Sequence, residues 1–337
     1  MTNDDLFLVL TESLQEMGLA EPDDRPKYTA ITGGVSSDIW RVDLRNGSIC
    51  VKRALPQLRV KNDWFAPVER NQSEIAWIRE VGKFAPQAVP RLLGTDDRRH
   101  LFAMEYLPPE THRLWRSELR DGRADPAISA RIGTLIAQIH SATAGRREIA
   151  TEFATDAFFY ALRLEPYLQA TARAHPELAD RLSALAKTTA ASRYALVHGD
   201  VSPKNILIGP ESPVFLDSEC AWYGDPAFDL AFCLNHLLLK CLWVPRSAAR
   251  FLSCFDAMCD SYVAGVTWEA PANLEARASA LLPALFLARV DGKSPVDYVT
   301  DEGDKNRVRR VSREFILAPP PRLESVRQRW ALELEIG

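Results

Sequence analysis

The sequence predicts an α+β chain in two parts: a small N-terminal antiparallel-sheet lobe, then a larger, mainly helical C-terminal lobe. Three observations carry this expectation. Short apolar-polar alternations with a hairpin signal fill the first hundred residues. Leu107-Pro108-Pro109 breaks that pattern, and helical spacing dominates beyond it.

In the first part, Asp38 to Leu44 and Ser48 to Lys52 flank Asn46-Gly47, residues that accept the positive φ of a tight hairpin turn. Ile75, Ile78 and Val81 then share one face of a helix. Val89 to Leu93 and His100 to Tyr106 read as two more strands joined by a polar turn. The boundaries expected are residues 1–106 for the first lobe and 107–337 for the second.

In the second part, Ile132, Leu135, Ile136 and Ile139 form an apolar stripe at helical spacing, with Gly145 beyond its end. Residues 157–190 are rich in Ala and Leu and punctuated by Pro166 and Pro176. A short hairpin follows, Asn205 to Ile208 and Val214 to Leu216 about a Gly209-Pro210 turn. Helices are expected over about 227–244, 247–265 and 273–290, the last kinked at Pro283. The tail, 300–337, is charged and carries Pro319-Pro320-Pro321.

Composition excludes several classes. Lysine and arginine number 41 against 45 acidic residues, a net charge of −4, which is no footprint for nucleic acid. The longest apolar region, Ala227 to Val244, contains Asp229, Asn235, His236 and Lys240, so it reads as a buried helix and not a membrane span. The acidic N-terminus is unlike a signal peptide, and the six cysteines include no C-x-x-C pair. Reduced thiols and a cytoplasmic location are expected.

The densest chemistry lies at His198-Gly199-Asp200-Val201-Ser202-Pro203-Lys204-Asn205, followed by Asp217 and Glu219 beyond the hairpin. Carboxylates and an amide at strand ends can converge oxygens on a hard cation such as Mg²⁺ and leave one carboxylate to orient a hydroxyl. Further on stands Gly224-Asp225-Pro226-Ala227-Phe228-Asp229-Leu230-Ala231. With these three segments in this order, the chain resembles the aminoglycoside phosphotransferase and choline kinase-like family, within the protein-kinase-like fold. The patterns H-G-D-x-x-x-x-N, D-x-E and G-D-P-x-x-D-L-A are all present, over about residues 28 to 240.

The resemblance implies a phosphotransferase that uses ATP and Mg²⁺ on a hydroxyl of a small molecule. It makes Asp200 the catalytic base and gives Asn205, Asp217 and Glu219 to the metal. His198 becomes a packed scaffold residue, and Asp229 a carboxylate that hydrogen-bonds the catalytic-loop backbone. Asp225 before Pro226 reads as a helix N-cap. For the nucleotide, Gly33-Gly34 allows close backbone approach, Ser36 and Ser37 add phosphate donors, and Lys52 contacts the phosphates. Glu74 is the expected partner of Lys52, with Glu69 and Glu80 as alternatives. Glu105 and Leu107, in Met104-Glu105-Tyr106-Leu107, stand where the fold's hinge pairs with adenine.

Only six residues separate Asp217 from the Gly224-Asp225-Pro226 turn. A protein kinase needs an activation segment there, so a small-molecule hydroxyl acceptor is expected: a sugar, polyol or amino alcohol. From Arg289 to Arg313, seven basic residues stand against five acidic ones, which does not favour a polycation. Arg289, Asp291 and Lys293 are candidate acceptor contacts, with Arg309-Arg310 as a second group. Trp222-Tyr223 could stack on a sugar, enclose a quaternary ammonium, or be core. The alternatives are an aminoglycoside antibiotic kinase and a nucleotide-binding regulatory module with little turnover. No nucleic-acid or membrane partner is expected, and the protein should be a monomer or homodimer.

Overall fold

The computed structural model describes residues 3–31, 36–57 and 67–336. Gly33 and Gly34 therefore lie outside the described residues. The chain divides into two compact units, Met1–Thr111 and His112–Gly337.

The first unit is built on one five-stranded antiparallel sheet. Its strands are β1 (Lys27–Ala30), β2 (Ser37–Leu44), β3 (Gly47–Ala54), β4 (Leu92–Asp96) and β5 (Leu101–Glu105), in the order β1-β2-β3-β5-β4. Alternation sorts its faces. Trp40, Val42, Val51, Leu101 and Ala103 cluster with Leu10 and Leu14 from the helix Asn3–Glu16. Lys52, one residue on from Val51, therefore points to the opposite side, toward the helix Arg70–Gly82 that the Ile75, Ile78 and Val81 spacing predicts.

The β2–β3 hairpin forms one residue earlier than expected. Leu44 pairs with Gly47, so Arg45-Asn46 is the loop. Neither loop residue has positive φ; Gly47 does, at 125°, where it opens the return strand. A Cβ there would meet nothing within 4 Å, so only the backbone conformation requires glycine. Gly47→Ala is expected to destabilise the first unit by about 1–2 kcal/mol, read as a lowered thermal midpoint. An unchanged midpoint would remove the conformational requirement.

The second unit is mostly helical. The helix Pro126–Thr143 is capped by Asp125, whose side chain accepts from Ala127 N–H, and Gly145 follows at φ 71°. Strands Ile206–Ile208 and Pro213–Phe215 make the hairpin, with Arg113–Leu114 added at its edge, while Ala195–Val197 pairs with Trp222–Gly224. Helices Ala227–Trp243, Ala248–Ala264 and Pro271–Asp291 match the expected order, the last being continuous through Pro283.

Two segments differ from expectation. Pro166 does not end its helix; it sits inside a π-helical stretch, Tyr160–Gln169. Proline has no N–H for the carbonyl four residues back. Leu162 O instead accepts from Arg163 Nη1 at 2.7 Å. The charged tail folds into helices Glu302–Leu317 and Leu323–Glu333, one on each side of the proline run. Val308, Val311, Phe315 and Ile316 make its buried stripe, and Trp330 donates Nε1–H to Leu238 O at 3.1 Å. Among the described residues no helix is long and apolar enough to cross a membrane, and all six cysteines are unbridged.

Candidate active site

In the first unit, Lys52 Nζ donates to Glu74 Oε2 at 2.6 Å, and both side chains are 3% exposed. Period two on β3 and the inward face of the helix bring them together. Glu74 is thus the ion-pair partner; Glu69 lies at the helix N-terminus and Glu80 pairs with Lys83. Cys50 shares the Lys52 face, and burial pushes its thiol up to about 12, so it is inert. Ser36 and Ser37 are buried. Ser36 O accepts from Leu55 N–H and from the guanidinium of the buried Arg70, which also holds Leu55 O and Pro67 O. Arg70 thereby ties the backbone at Ser36, Leu55 and Pro67 to one point. At the end of β5, Glu105 N–H is taken by Arg91 O. Leu107, just past the strand, is half-buried.

In the second unit, the loop after Ala195–Val197 is fixed from behind. The Asp229 carboxylate accepts His198 N–H and Gly199 N–H, each at 2.8 Å, and meets His140 Nε2 at 3.3 Å. Asp200 N–H donates to His198 Nδ1 at 3.1 Å. Burial, more than its neighbours, holds His198 below the ordinary histidine range. It is neutral and acts as an acceptor in this scaffold. Gly199 takes φ 78°, with Cys220 O only 2.6 Å from where a Cβ would sit.

Asp200 itself is buried, and its Oδ2 receives two cations: Arg163 at 3.0 Å and Lys204 at 3.1 Å. Burial works against the Arg163 charge, but Asp200, Cys220 and Glu219 outweigh it and hold the guanidinium above its ordinary range. Arg163 also donates to Gly199 O. The H-G-D-x-x-x-x-N pattern does not contain this arginine. Its only signal is an arginine set in the apolar run Tyr160-Ala-Leu-Arg-Leu-Glu-Pro.

Asn205 Nδ2 donates to Asp200 O at 3.1 Å, and Asn205 O accepts Leu216 N–H. That bond draws the amide to the chain segment of Asp217. Asp217 takes φ 64°, a left-handed conformation that non-glycine residues rarely adopt and that gathers at functional sites. Both Asp200 and Asp217 act electrostatically on Lys204 and His198. Glu219 is buried beside Cys220 and Arg163. Among the described residues no three His, Cys, Asp or Glu side chains gather tightly enough to hold a metal alone. Two or three oxygens from Asn205, Asp217 and Glu219 suit a hard cation that draws its remaining ligands from phosphates and water.

Trp222 is core: it is 1% exposed, stacks on Phe159 at 4.2 Å and donates to Asp156. Asp291 is held by Arg309 at 2.7 and 2.8 Å and by His175 at 2.8 Å, so both of its oxygens are engaged in packing the last helices. Arg310 pairs with Glu333. For Trp222 this is the core reading that the sequence leaves open, and Asp291 and Arg310 already have ion-pair partners, which charge counts do not reveal. Lys293 N–H caps Pro166 O. Arg289 is half-buried and donates to Tyr167 OH and Ser294 O.

This sheet unit followed by a helical unit with a clamped aspartate loop is a protein-kinase-like fold. The chain belongs to the phosphotransferase enzyme family, whose model matches residues 27–259. It is 28% identical over 259 residues to the methylthioribose kinase of Escherichia coli O45:K1 (strain S88 / ExPEC), covering 68% of this chain and 61% of that enzyme. The chain spans about three fifths of the length of the curated relatives it matches. An amicoumacin kinase in complex with AMP-PNP, Ca²⁺ and Ami superposes with a TM-score of 0.57 at 13% identity, over 94% of this chain and 96% of that one. A choline/ethanolamine kinase family protein from Mesorhizobium loti gives 0.53 at 15%, over 97% and 99%. At these identities the solved structures speak to the fold.

Proposed function

We propose that the protein is an ATP- and Mg²⁺-dependent phosphotransferase that moves the γ-phosphate onto a hydroxyl of a small-molecule metabolite. The observation that carries this reading is the Asp200 loop. Its backbone is clamped by Asp229, one carboxylate oxygen is neutralised by Arg163 and Lys204, and the other, Oδ1, has no partner among the described residues and serves a substrate proton.

In this mechanism Lys52, braced by Glu74, positions the α- and β-phosphates, with Gly33, Gly34, Ser36 and Ser37 as further phosphate contacts. Glu105 and Leu107 offer backbone groups to the base. Asn205, Asp217 and Glu219 would hold Mg²⁺, which when bound would neutralise the phosphate charge. Asp200 orients the acceptor hydroxyl. As its oxygen bonds to the γ-phosphorus, the bond from that phosphorus to the bridging oxygen breaks and ADP leaves. The hydroxyl proton passes to Asp200.

The test is ADP release from Mg·ATP across aminoglycosides, choline, ethanolamine, methylthioribose, other sugars, homoserine and hydroxy acids. Acceptor-dependent release is the expected result. Silence across the panel, with Mg·ATP bound, would instead favour a nucleotide-binding module.

A further inference from the structure

The helix Ala227–Trp243 carries a polar stripe within an otherwise apolar surface. Asp229 clamps the catalytic loop. On the same face Phe232 packs edge-on to Tyr167 and lies 5.6 Å from the Arg163 guanidinium carbon. His236 meets Phe232 edge-on one turn later, and Lys240 follows one turn beyond that. The stripe thus leads away from the Asp200–Arg163 pair.

Lys240 is 1% exposed. Its Nζ lies 4.0 Å from the ring centre of Trp243 and 3.9 Å from that of Tyr298, two rings stacked on each other. Among the described residues, its Nζ contacts no carboxylate. Asp297 is nearest in sequence to this ring pair, but Arg116 holds both of its oxygens, at 2.7 and 2.9 Å. Around the same rings, Tyr298 OH and Arg289 Nε are buried with no hydrogen-bond partner among the described residues. The charged and titratable groups facing the cluster are Arg116, Asp297, Arg289, His236 and Lys204. Four of these five are cationic or basic, and the one acid is already paired.

Buried donors without acceptors are rare in folded proteins, and each needs an explanation. Here the Lys240 amine, a phenol and a guanidinium N–H gather with no acceptor among the described residues, beside an imidazole that makes no hydrogen bond among them. What completes such a set is a group rich in acceptors and negatively charged. We propose that Lys240, His236, Arg289 and Tyr298 seat an anionic group on the acceptor whose hydroxyl Asp200 orients, so that the substrate is a hydroxylated acid. This rests on the phosphotransferase reading and narrows its acceptor class away from polycations and quaternary ammonium compounds.

The cluster also fixes a pH signature. Burial holds Lys240 far below the ordinary lysine range, at about 6, with Arg116 and Arg289 adding to the effect against Asp297. Above pH 6 the empty site carries a neutral amine, and an entering anion favours the ammonium. Binding therefore takes up a proton, and affinity weakens as pH rises above 6, by up to about tenfold per unit until the pKa of the bound state is reached.

The experiment compares kcat/KM for glycerate and gluconate with that for glyceramide and gluconamide, and includes glycerol 3-phosphate to separate carboxylate from phosphate. Each is run from pH 6.5 to 8.5 with wild type and Lys240→Met. In wild type, at least one anionic acceptor should exceed its neutral counterpart by about tenfold or more, with a KM that rises with pH. Lys240→Met should remove both the preference and the pH slope. Circular dichroism would establish that the variant is folded, and Lys240→Arg should restore the preference without the slope, because its charge does not titrate. If neutral acceptors are turned over as well as anions, the cluster is structural and the phosphotransferase reading stands. If nothing is phosphorylated across these compounds and the wider panel, both fall.

Discussion

Asp200→Asn is expected to lower kcat by about 10³-fold, equivalent to about 4 kcal/mol of barrier. The substitution keeps the shape of the side chain. An amide oxygen can still accept from Arg163 and Lys204, which meet Oδ2 in the native chain. It cannot take up the proton of an attacking hydroxyl. The loop should stay in place, because Asp229 and Asn205 hold its backbone and not its carboxylate. Turnover measured as ADP release should collapse while Mg·ATP binding by calorimetry persists. Retention of activity within tenfold of wild type would exclude Asp200 as the proton acceptor.

Asp229→Ala should produce the largest loss of stability, about 3–5 kcal/mol, as expected when one partner of a buried charged network is removed. The carboxylate is 1% exposed and serves three donors: His198 N–H, Gly199 N–H and His140. Alanine would leave two amides buried and unpaired. Asp229→Asn should be little better, because its single acceptor oxygen serves one amide and its NH₂ turns a donor toward the other. The readouts are the thermal midpoint and the hydrogen exchange of peptides spanning 197–200, which should accelerate. A midpoint near that of wild type, with protected amides, would show that the clamp does not hold the loop.

Much of this molecule is legible in its residue pattern. Strand alternation places Val51 and Lys52 on opposite faces, and the spacing of Ile75, Ile78 and Val81 places Glu74 on a helix that can meet Lys52. The acids after His198 can be read because they sit within a short stretch whose geometry a hairpin determines. Arg163 cannot, because it reaches Asp200 from a distant segment, a π-helical stretch that contains Pro166. The tail misleads for another reason: its charges mask a sparse apolar stripe, Val308, Val311 and Phe315, whose partner helices are far away in sequence. Trp222 and Asp291 show the same limit. Residue type gives the chemistry a side chain can perform, but burial and prior pairing decide whether it is available. For Lys240 the signal is present, as a cation within an apolar helix, and its meaning depends on which groups stand around it.

The left-handed backbone of Asp217 has a further consequence. An L-residue held in that region is disfavoured by roughly 1 kcal/mol relative to glycine. A chain optimised for stability alone would place glycine there and lose the carboxylate. Asp217 is therefore a point where folding robustness and ligand capture oppose each other within a single dihedral angle. Stabilising substitutions are best sought elsewhere in the chain, because the gain available at this position is inseparable from loss of the side chain that the site requires.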